Sequence, residues 1–215
     1  MTSSRKTWYD GILLEELDGR DKDFKYASDK MSKTIGHDDV TSYNILKVIR
    51  ISNNDTWPAY EQRRKEIYND LGKQVEEKRL FHGSPNADII AREGFDRGFA
   101  RQSGMFGNGV YFAEHSSKSN NCAFGNHQPC PTHRNKKCSV CVRKILICKV
   151  ALGRIYETNQ STVSALPAGY HSVKANSGPL LLFPEYVIYD DKQVYPRYLI
   201  EYTTNYAPES WCTIV

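Results

Sequence analysis

The sequence lacks the features of a membrane or secreted protein. Its 215 residues contain no apolar run near the roughly 18 to 20 residues that a membrane-spanning helix needs. The first residues, MTSSRKTWYDG, include no apolar stretch of the kind that a secretory signal peptide requires. We therefore expect an intracellular protein, located in the cytoplasm, the nucleus or both, with no membrane partner.

A strong net charge and a dinucleotide motif are also missing. The 29 basic and 25 acidic residues leave a net charge of +4, which is too small to indicate a nucleic-acid partner on its own. No G-x-G-x-x-G pattern follows a predicted strand, so a Rossmann-type dinucleotide site is not expected. There is no internal repeat, and a chain of 215 residues indicates one domain or at most two small ones.

Strand patterns dominate the chain and do not alternate regularly with long helices. Runs of β-branched and aromatic residues predict strands at 43–51, 144–152, 185–190 and 197–203. Helical spacing predicts a helix over 22–35, and capping signals predict two more, from Thr56 to Gly72 and from Asn86 to Gly94. This order favours an α+β fold with largely antiparallel sheets over a doubly wound fold.

Cysteine is scarce except in one short stretch, residues 130–141. Three of the six cysteines lie there with one histidine in a C-x2-H-x4-C-x2-C arrangement, formed by Cys130, His133, Cys138 and Cys141. Thiolate and imidazole ligands at this spacing favour Zn²⁺. Four protein ligands leave no open coordination position, so we expect a structural rather than a catalytic zinc; free or disulfide-bonded cysteines are the alternative. The other cysteines show no disulfide framework, which indicates a reducing compartment.

Three further stretches place polar residues at the ends of predicted strands. LFHGSP, at 80–85, ends a strand in His-Gly-Ser. GMFGNGVYFAE, at 104–114, has three glycines before a strand with Tyr111, and FPEYVIYD begins an apolar strand at Glu185. Taken singly, each has an ordinary explanation: a hydrogen-bonded His82, a glycine turn, a core tyrosine and a solvent-facing glutamate.

Taken together, these stretches resemble the catalytic domain of the poly(ADP-ribose) polymerases, the diphtheria-toxin-like ADP-ribosyltransferases. The His-Tyr-Glu signature of that family corresponds to His82, Tyr111 and Glu185. The resemblance covers about residues 43 to 203 and is closest to the tankyrases, which share the LFHGSP, MFGxGxYFAExSSKSN, GxHSV and EYVIYxxxQxYPxYLIxY stretches. The tankyrases also carry a short zinc loop of the form found at 130–141.

The resemblance implies an α+β ADP-ribosyltransferase fold, with two largely antiparallel β-sheets, flanking helices and a small zinc-binding loop. It divides the chain into a partly helical N-terminal extension (1–40), a catalytic domain (41–206) with the zinc loop at 130–141, and a C-terminal tail (207–215). The zinc is then expected to be structural and set apart from the chemistry. The tail ends in CTIV, which has the form of a prenylation signal, but no basic segment lies upstream.

The resemblance also implies the activity of an NAD⁺-dependent ADP-ribosyltransferase. Such an enzyme modifies side chains of acceptor proteins, its own included, elongates poly(ADP-ribose) and releases nicotinamide. The nicotinamide ring is expected to stack on Tyr111. Its carboxamide is expected to bond the backbone of Gly83 and the hydroxyl of Ser119.

The remaining roles fall to the ribose side of the site. His82 and Ser84 are expected to hold the adenosine ribose, and Lys118 to order the site. Glu185 is expected to bind the 2′-hydroxyl of the nicotinamide ribose, to stabilise the oxocarbenium-like charge and to polarise the acceptor hydroxyl. Glu185, His82 and Tyr111 are therefore the predicted catalytic residues.

The sequence departs from the family where the donor site is shaped. Cys122 stands where a second stacking tyrosine is usual, with Phe124 as the candidate replacement. Phe99 and Arg101, which we expect to contact NAD⁺, stand where the tankyrases have a histidine and a tyrosine. Two alternatives stay open: a mono-ADP-ribosyltransferase of the same fold, and an inactive module that binds ADP-ribose or, less expected, nucleic acid.

Overall fold

The computed structural model describes residues 5–36, 39–99, 104–160, 163, 165–176, 178 and 181–208. Four α-helices are present in these ranges: α1 (Lys22–Lys33), α2 (Thr56–Leu71), α3 (Ala87–Glu93) and α4 (Ser116–Asn120). The strands are β1 (Lys6–Tyr9), β2 (Ile12–Glu16), β3 (Val40–Asn53), β4 (Glu77–Gly83), β5 (Val110–Ala113), β6 (Arg143–Ala151), β7 (Ile155–Thr158), β8 (Ser172–Ala175), β9 (Glu185–Ile188) and β10 (Val194–Tyr206). Short 3-10 turns cover Arg97–Phe99 and Asp191–Gln193.

The three predicted helices are present, and capping residues mark where they begin and end. The side chain of Asp21 accepts a hydrogen bond from the N–H of Asp23 at 2.7 Å and starts α1. Gly72 ends α2 with a left-handed φ of 62°, which a glycine adopts without strain. Thr56, predicted as the cap of α2, is instead its first residue, because the Asn53 side chain reaches the N–H of Thr56 at 2.9 Å.

The strands form a hydrogen-bonded sheet in the order β1-β2-β3-β10-β6-β4-β5-β9-β8-β7. Every neighbouring pair is antiparallel except β7 with β8, so the predicted α+β class with largely antiparallel strands is confirmed. We expected two separate sheets, whereas the ten strands are continuous. The junction is narrow, because β4 and β5 are joined through one residue pair, Phe81 with Ala113.

The two faces of β6, in the middle of the sheet, pack against different helices, because successive side chains of a strand point to opposite faces. On β6, Ile145 and Ile147 pack with Met31 of α1. Leu146 and Cys148 of the same strand pack with residues of α3. Most residues of these clusters are buried, and they place β4 and β6 between helices on both faces of the sheet.

The sequence patterns missed several short strands. The hairpin of β1 and β2 extends the sheet through the pairing of β2 with β3, and α1 packs onto that sheet, so the predicted helix in the N-terminal region is confirmed at 22–33. The boundaries at residues 40 and 206 stay predictions. Within the ranges given above, no helix is long and apolar enough to cross a membrane.

Candidate active site and metal centre

Three neighbouring strands carry His82, Tyr111 and Glu185. The sheet order places β5 between β4 and β9. Phe81 of β4 pairs with Ala113 of β5, and Ala113 pairs on its other side with Glu185 of β9. The three predicted catalytic residues therefore lie on adjacent strands at one place in the sheet, although the chain separates them widely.

His82 is held in one tautomer by its neighbour strand. Its Nδ1 atom lies 2.9 Å from the carbonyl oxygen of Tyr111. Because a carbonyl can only accept, Nδ1 carries the proton and Nε2 is left as an acceptor. Burial lowers the pKa of His82, against the opposing effect of the Tyr111 carbonyl, so the ring is neutral near pH 7. The rings of Phe95 and Phe112 pack on it at 5.1 and 5.4 Å.

The hydroxyl of Tyr111 is hydrogen-bonded within the protein, which leaves the ring as the part of the side chain available to a ligand. The hydroxyl accepts a hydrogen bond from the N–H of Phe106 at 2.8 Å and donates one to the carbonyl of Gly107 at 3.0 Å. A side-chain carbon at Gly104 would lie 2.4 Å from this hydroxyl, so the loop needs glycine there. Burial raises the pKa of Tyr111, and the charge of Glu185 adds to the shift.

Gly83 and Ser119 form a tight contact between β4 and α4. A side-chain carbon at Gly83 would lie 1.8 Å from the carbonyl oxygen of Ser119 and 3.3 Å from Cβ of Cys122. No side chain larger than hydrogen fits without moving α4. Ser119 is 5% exposed, and among the described residues its hydroxyl has no hydrogen-bond partner. A hydroxyl without a protein partner, held against a strand backbone by this contact, suits a carboxamide ligand.

The short helix α4 is fixed at both ends by other elements. The hydroxyl of Ser116 donates to the carbonyl of Met31 in α1 at 2.6 Å. At the other end, Oδ1 of Asn120 accepts hydrogen bonds from Tyr202 at 3.1 Å and Thr204 at 2.9 Å, both on β10. This anchoring places Lys118 and Ser119 independently of the loop that precedes them.

Glu185 and Lys118 form an ion pair at the start of β9. The Nζ atom of Lys118 lies 2.9 Å from Oε1 of Glu185, and the two side chains are 21% and 15% exposed. A partly buried pair of this kind is held more firmly than a surface pair. Lys118 therefore fixes the orientation of the carboxylate beside Tyr111.

The other predicted contacts lie around this centre. The hydroxyl of Ser84 accepts a hydrogen bond from the N–H of Asn86 at 3.1 Å at the entry to α3. The ring of Phe124 lies under the guanidinium of Arg143 at 4.7 Å. Only the backbone of Phe99 belongs to the described part of the chain, and Arg101 lies outside it, as does the CTIV tail.

Lys78, Glu114 and Tyr186 form a hydrogen-bonded network beside the proposed site that the sequence did not predict. Nζ of Lys78 lies 2.6 Å from Oε1 of Glu114 and donates to the hydroxyl of Tyr186 at 2.9 Å. Tyr186 follows Glu185 directly and donates to Glu114 at 3.1 Å. The sequence gives no signal for this network, because Lys78 lies in an ordinary strand pattern.

The four residues of the cysteine cluster converge as the spacing predicts. Their ligand atoms all lie within 4.8 Å of one another. The three sulfur atoms are 3.3, 3.4 and 3.8 Å from Nδ1 of His133. A tetrahedral zinc with Zn–S near ~2.3 Å and Zn–N near ~2.05 Å would place each sulfur about 3.5 Å from the nitrogen, so the donor set fits that ion.

Backbone N–H groups favour the thiolate form of two of these sulfur atoms, those of Cys130 and Cys138. The N–H of His133 points at Cys130 from 3.2 Å, and the N–H of Cys141 points at Cys138 from 3.4 Å. Burial raises the pKa of Cys130, but the N–H groups of Asn135 and His133 act against it and bring the pKa to about 6. These features agree with a metal-binding loop rather than with a set of free cysteines.

Known proteins that this chain matches are named as poly(ADP-ribose) polymerases or mono-ADP-ribosyltransferases. The family model described as the poly(ADP-ribose) polymerase catalytic domain matches residues 21–180. A human relative, protein mono-ADP-ribosyltransferase PARP14, is 28% identical over 201 residues, covering 89% of this chain and 10% of the relative. A probable poly [ADP-ribose] polymerase from Dictyostelium discoideum is 26% identical over 198 residues, covering 89% and 52%. Poly [ADP-ribose] polymerase 1 of Gallus gallus is 32% identical over 137 residues, covering 50% and 12%.

Proposed function

Because this chain belongs to the poly(ADP-ribose) polymerase catalytic domain family, we propose that it is an NAD⁺-dependent ADP-ribosyltransferase. It transfers ADP-ribose to side chains of acceptor proteins and releases nicotinamide. The observation that carries the proposal is the meeting of His82, Tyr111 and the Glu185–Lys118 pair on β4, β5, α4 and β9. The chain spans at most about half of the relatives described above, so the proposal concerns this domain. The closer likeness to the tankyrases stays a prediction.

The nicotinamide end of the site is built from Gly83, Ser119 and Tyr111. The Ser119 hydroxyl, which lacks a partner among the described residues, donates to or accepts from the carboxamide. The absence of a side chain on Gly83 lets α4 lie directly against β4, which places the Ser119 hydroxyl beside the backbone of Gly83. Tyr111 contributes the face of its ring, because its hydroxyl is already bonded to Phe106 and Gly107.

The ribose end of the site is served by His82 and Ser84. The neutral imidazole of His82 presents Nε2 as an acceptor, which suits a ribose hydroxyl that must donate. His82 therefore contributes mainly to binding. Ser84, one residue beyond Gly83, offers a second hydroxyl on the same side.

Glu185 contributes mainly to turnover. Bound NAD⁺ supplies the ADP-ribosyl group and a nicotinamide leaving group. The Glu185 carboxylate, oriented by Lys118 at 2.9 Å, stabilises the positive charge that develops on the ribose and accepts a hydrogen bond from its 2′-hydroxyl. The same carboxylate polarises the acceptor hydroxyl during chain elongation.

We propose that the domain elongates poly(ADP-ribose), because the glutamate needed for elongation is present and paired. A mono-ADP-ribosyltransferase is the second candidate. It is supported by the names of human PARP14 and PARP12, each 28% identical to this chain. An inactive binding module is disfavoured by the complete His-Tyr-Glu set.

We also propose that Zn²⁺ occupies the Cys130, His133, Cys138 and Cys141 cluster in a structural role. The four protein ligands fill a tetrahedron, so no position is left for water or substrate. The ion is therefore expected to stabilise the loop rather than to take part in transfer.

Incubation of the purified protein with NAD⁺ labelled in the adenylate tests this function. A polymerase gives a high-mass smear on a denaturing gel, and a mono-transferase gives a sharp labelled band. In either case free nicotinamide appears in proportion to the transferred label. Absence of both label and nicotinamide, in protein that melts cooperatively, would refute the enzymatic proposal and favour a binding module.

A further inference from the structure

A solvent-open cavity lies between α1 and β4, apart from the proposed active site. Its volume is about 610 Å³. Its lining comes from Tyr26, Lys30, Lys33, Thr34, Ile35, Glu77, Lys78, Arg79, Leu80, Glu114 and His115. None of the described residues assigned above to NAD⁺ is among them. Glu114 and His115 lead from β5 into α4, so the cavity borders the segment that positions Lys118.

The cavity holds more positive charge than its own carboxylates neutralise. Lys33 pairs with Asp29 at 2.8 Å, and Lys78 pairs with Glu114 at 2.6 Å. Within the described ranges, neither Lys30 nor Arg79 has a carboxylate oxygen within 4.0 Å.

The remaining lining carboxylate is engaged elsewhere. Glu77 accepts a hydrogen bond from the hydroxyl of Tyr60 at 2.6 Å and pairs with Lys149 at 3.4 Å. Its hydrogen bond and its ion pair therefore point toward α2 and β6, although its charge still acts on Arg79 from a distance. Among the described residues, Lys30 and Arg79 are the lining cations without a carboxylate ion pair, and a hydrogen bond with the Tyr198 side chain supports the charge of Arg79.

These two cations are partly buried and rest on aromatic rings. Nζ of Lys30 lies 5.3 Å from the ring centre of Phe81, and the guanidinium of Arg79 lies 5.0 Å from that of Tyr26. Burial lowers the pKa of Lys30; Glu114 opposes this, and the nearby charges of Arg79 and Lys78 lower it further. Clustered, partly desolvated cations are unfavourable unless an anion joins them.

We propose that this cavity binds a phosphate or pyrophosphate group, as a nucleotide carries it. The planar guanidinium of Arg79 suits two phosphate oxygens at once, and the ammonium of Lys30 adds a point charge. Two cations match the charge of a pyrophosphate better than that of a single carboxylate. A volume of about 610 Å³ also has room for more than one phosphate.

The proposal is independent of the transfer reaction and can be tested by calorimetric titration of the zinc-containing protein at constant ionic strength. The probes are inorganic phosphate, inorganic pyrophosphate and ADP, with sodium glutamate as a carboxylate control. The variants are Lys30→Gln and Arg79→Gln, which keep much of each side-chain stem. Lys25→Gln is the matched control, because Lys25 is an exposed residue of α1 that does not line the cavity.

We expect pyrophosphate to bind wild type and Lys25→Gln within about twofold of each other. Each of the two cavity variants should weaken this binding on the order of tenfold, the usual loss for a charged hydrogen bond. ADP is also titrated into the His82→Ala variant, in which binding to the donor site is weakened. This titration distinguishes a nucleotide from free pyrophosphate as the ligand of the cavity. ADP binding that is tighter than pyrophosphate and lost in both cavity variants identifies a nucleotide; equal binding identifies the free anion.

Three results would overturn the proposal. One is the absence of pyrophosphate and ADP binding to wild type at millimolar concentration. Another is undiminished pyrophosphate binding in both Lys30→Gln and Arg79→Gln. The third is binding of glutamate as tight as that of pyrophosphate. Failure of ADP-ribosyl transfer would leave these titrations unaffected, so the two proposals can fail separately.

Discussion

The proposed reaction centre and the metal cluster are assembled in two different ways. The proposed metal ligands lie within residues 130–141 and are brought together by a local loop whose N–H groups point at two of the sulfur atoms. The reaction centre takes His82, Tyr111 and Glu185 from three strands that meet only through the sheet order. We therefore expect loss of the local loop to disturb the reaction centre little, whereas the reaction centre depends on the order of the strands in the sheet.

Contacts of Arg143 and Tyr206 join the two regions and limit that independence. Arg143, 2% exposed, donates to the carbonyl of Cys138 at 2.6 Å inside the metal loop. Its guanidinium lies 4.7 Å from the ring of Phe124, which follows α4. The independence of the reaction centre and the metal cluster is therefore tested by variants that change one region and are measured for their effects on both.

The largest effect is expected from Glu185→Gln, which preserves shape and removes the charge. NAD⁺ should still bind, because Gly83, Ser119 and Tyr111 make the ground-state contacts. Turnover in elongation should fall on the order of 10² to 10⁴, the usual size of a lost base or electrostatic contribution. Calorimetry for NAD⁺ affinity and gel analysis of polymer length check this.

Glu93→Gln is the matched control, because Glu93 is an exposed residue at the end of α3. It should leave both measurements unchanged. Polymer of normal length made at a normal rate by Glu185→Gln would make the glutamate structural and would remove the main support for elongation.

The next effect is expected in the metal loop. Cys138→Ser, or chelation, should release one zinc per chain and lower the free energy of unfolding by about 4 kcal/mol or more, because bound metal contributes directly to folding. Cys148→Ser provides a cysteine control that lies outside the cluster and should keep the metal. Metal analysis and thermal melting check both; freshly purified protein without zinc contradicts the assignment.

The loop was predictable from spacing alone, and the reaction centre was not. The four candidate ligands lie within one loop and leave a local pattern, so their convergence could be predicted from the sequence. His82, Tyr111 and Glu185 looked ordinary in their own strands, and only the family resemblance linked them, since no local rule gives the order of β4, β5 and β9. The strand β1 was missed because all four of its residues are exposed, which removes the alternation that marks a strand.

A smaller effect is expected from Gly83→Ala. The added carbon would lie 1.8 Å from the carbonyl oxygen of Ser119, so α4 must shift, at a cost of about 1 to 3 kcal/mol in the free energy of unfolding. NAD⁺ affinity should fall about tenfold or more with it. Gly19→Ala is the control, because nothing lies within 4 Å of that position; equal melting and equal NAD⁺ affinity in the two variants contradict the close contact.

The smallest effect concerns pH and His82. Burial lowers its pKa in the folded protein, so below the usual value of about 6.5 the unfolded chain binds the proton more readily. The contribution of neutral His82 to stability is full above that pH and declines as the pH falls toward the lowered pKa. NAD⁺ affinity should be flat between pH 7 and 8 and weaken only in acid.

His82→Gln should bind NAD⁺ more weakly at every pH and should lose this acid dependence. Because burial also lowers the pKa of His171, His171→Gln is the comparison for melting, and it should keep the pH dependence of NAD⁺ affinity. An affinity that rises in acid, or that changes equally with pH in wild type and His82→Gln, contradicts a neutral acceptor role for His82.

Nicotinamide release per folded molecule, measured in chelated wild-type protein, tests most directly whether the chemistry and the metal loop are separable. The folded fraction is taken from the melting curve at the assay temperature, and Glu185→Gln with its metal is run alongside. We predict that chelated protein releases nicotinamide at the normal rate per folded molecule, while Glu185→Gln melts normally and releases it far more slowly. Loss of nicotinamide release from chelated protein that is still folded would contradict the account and assign the metal a part in the reaction.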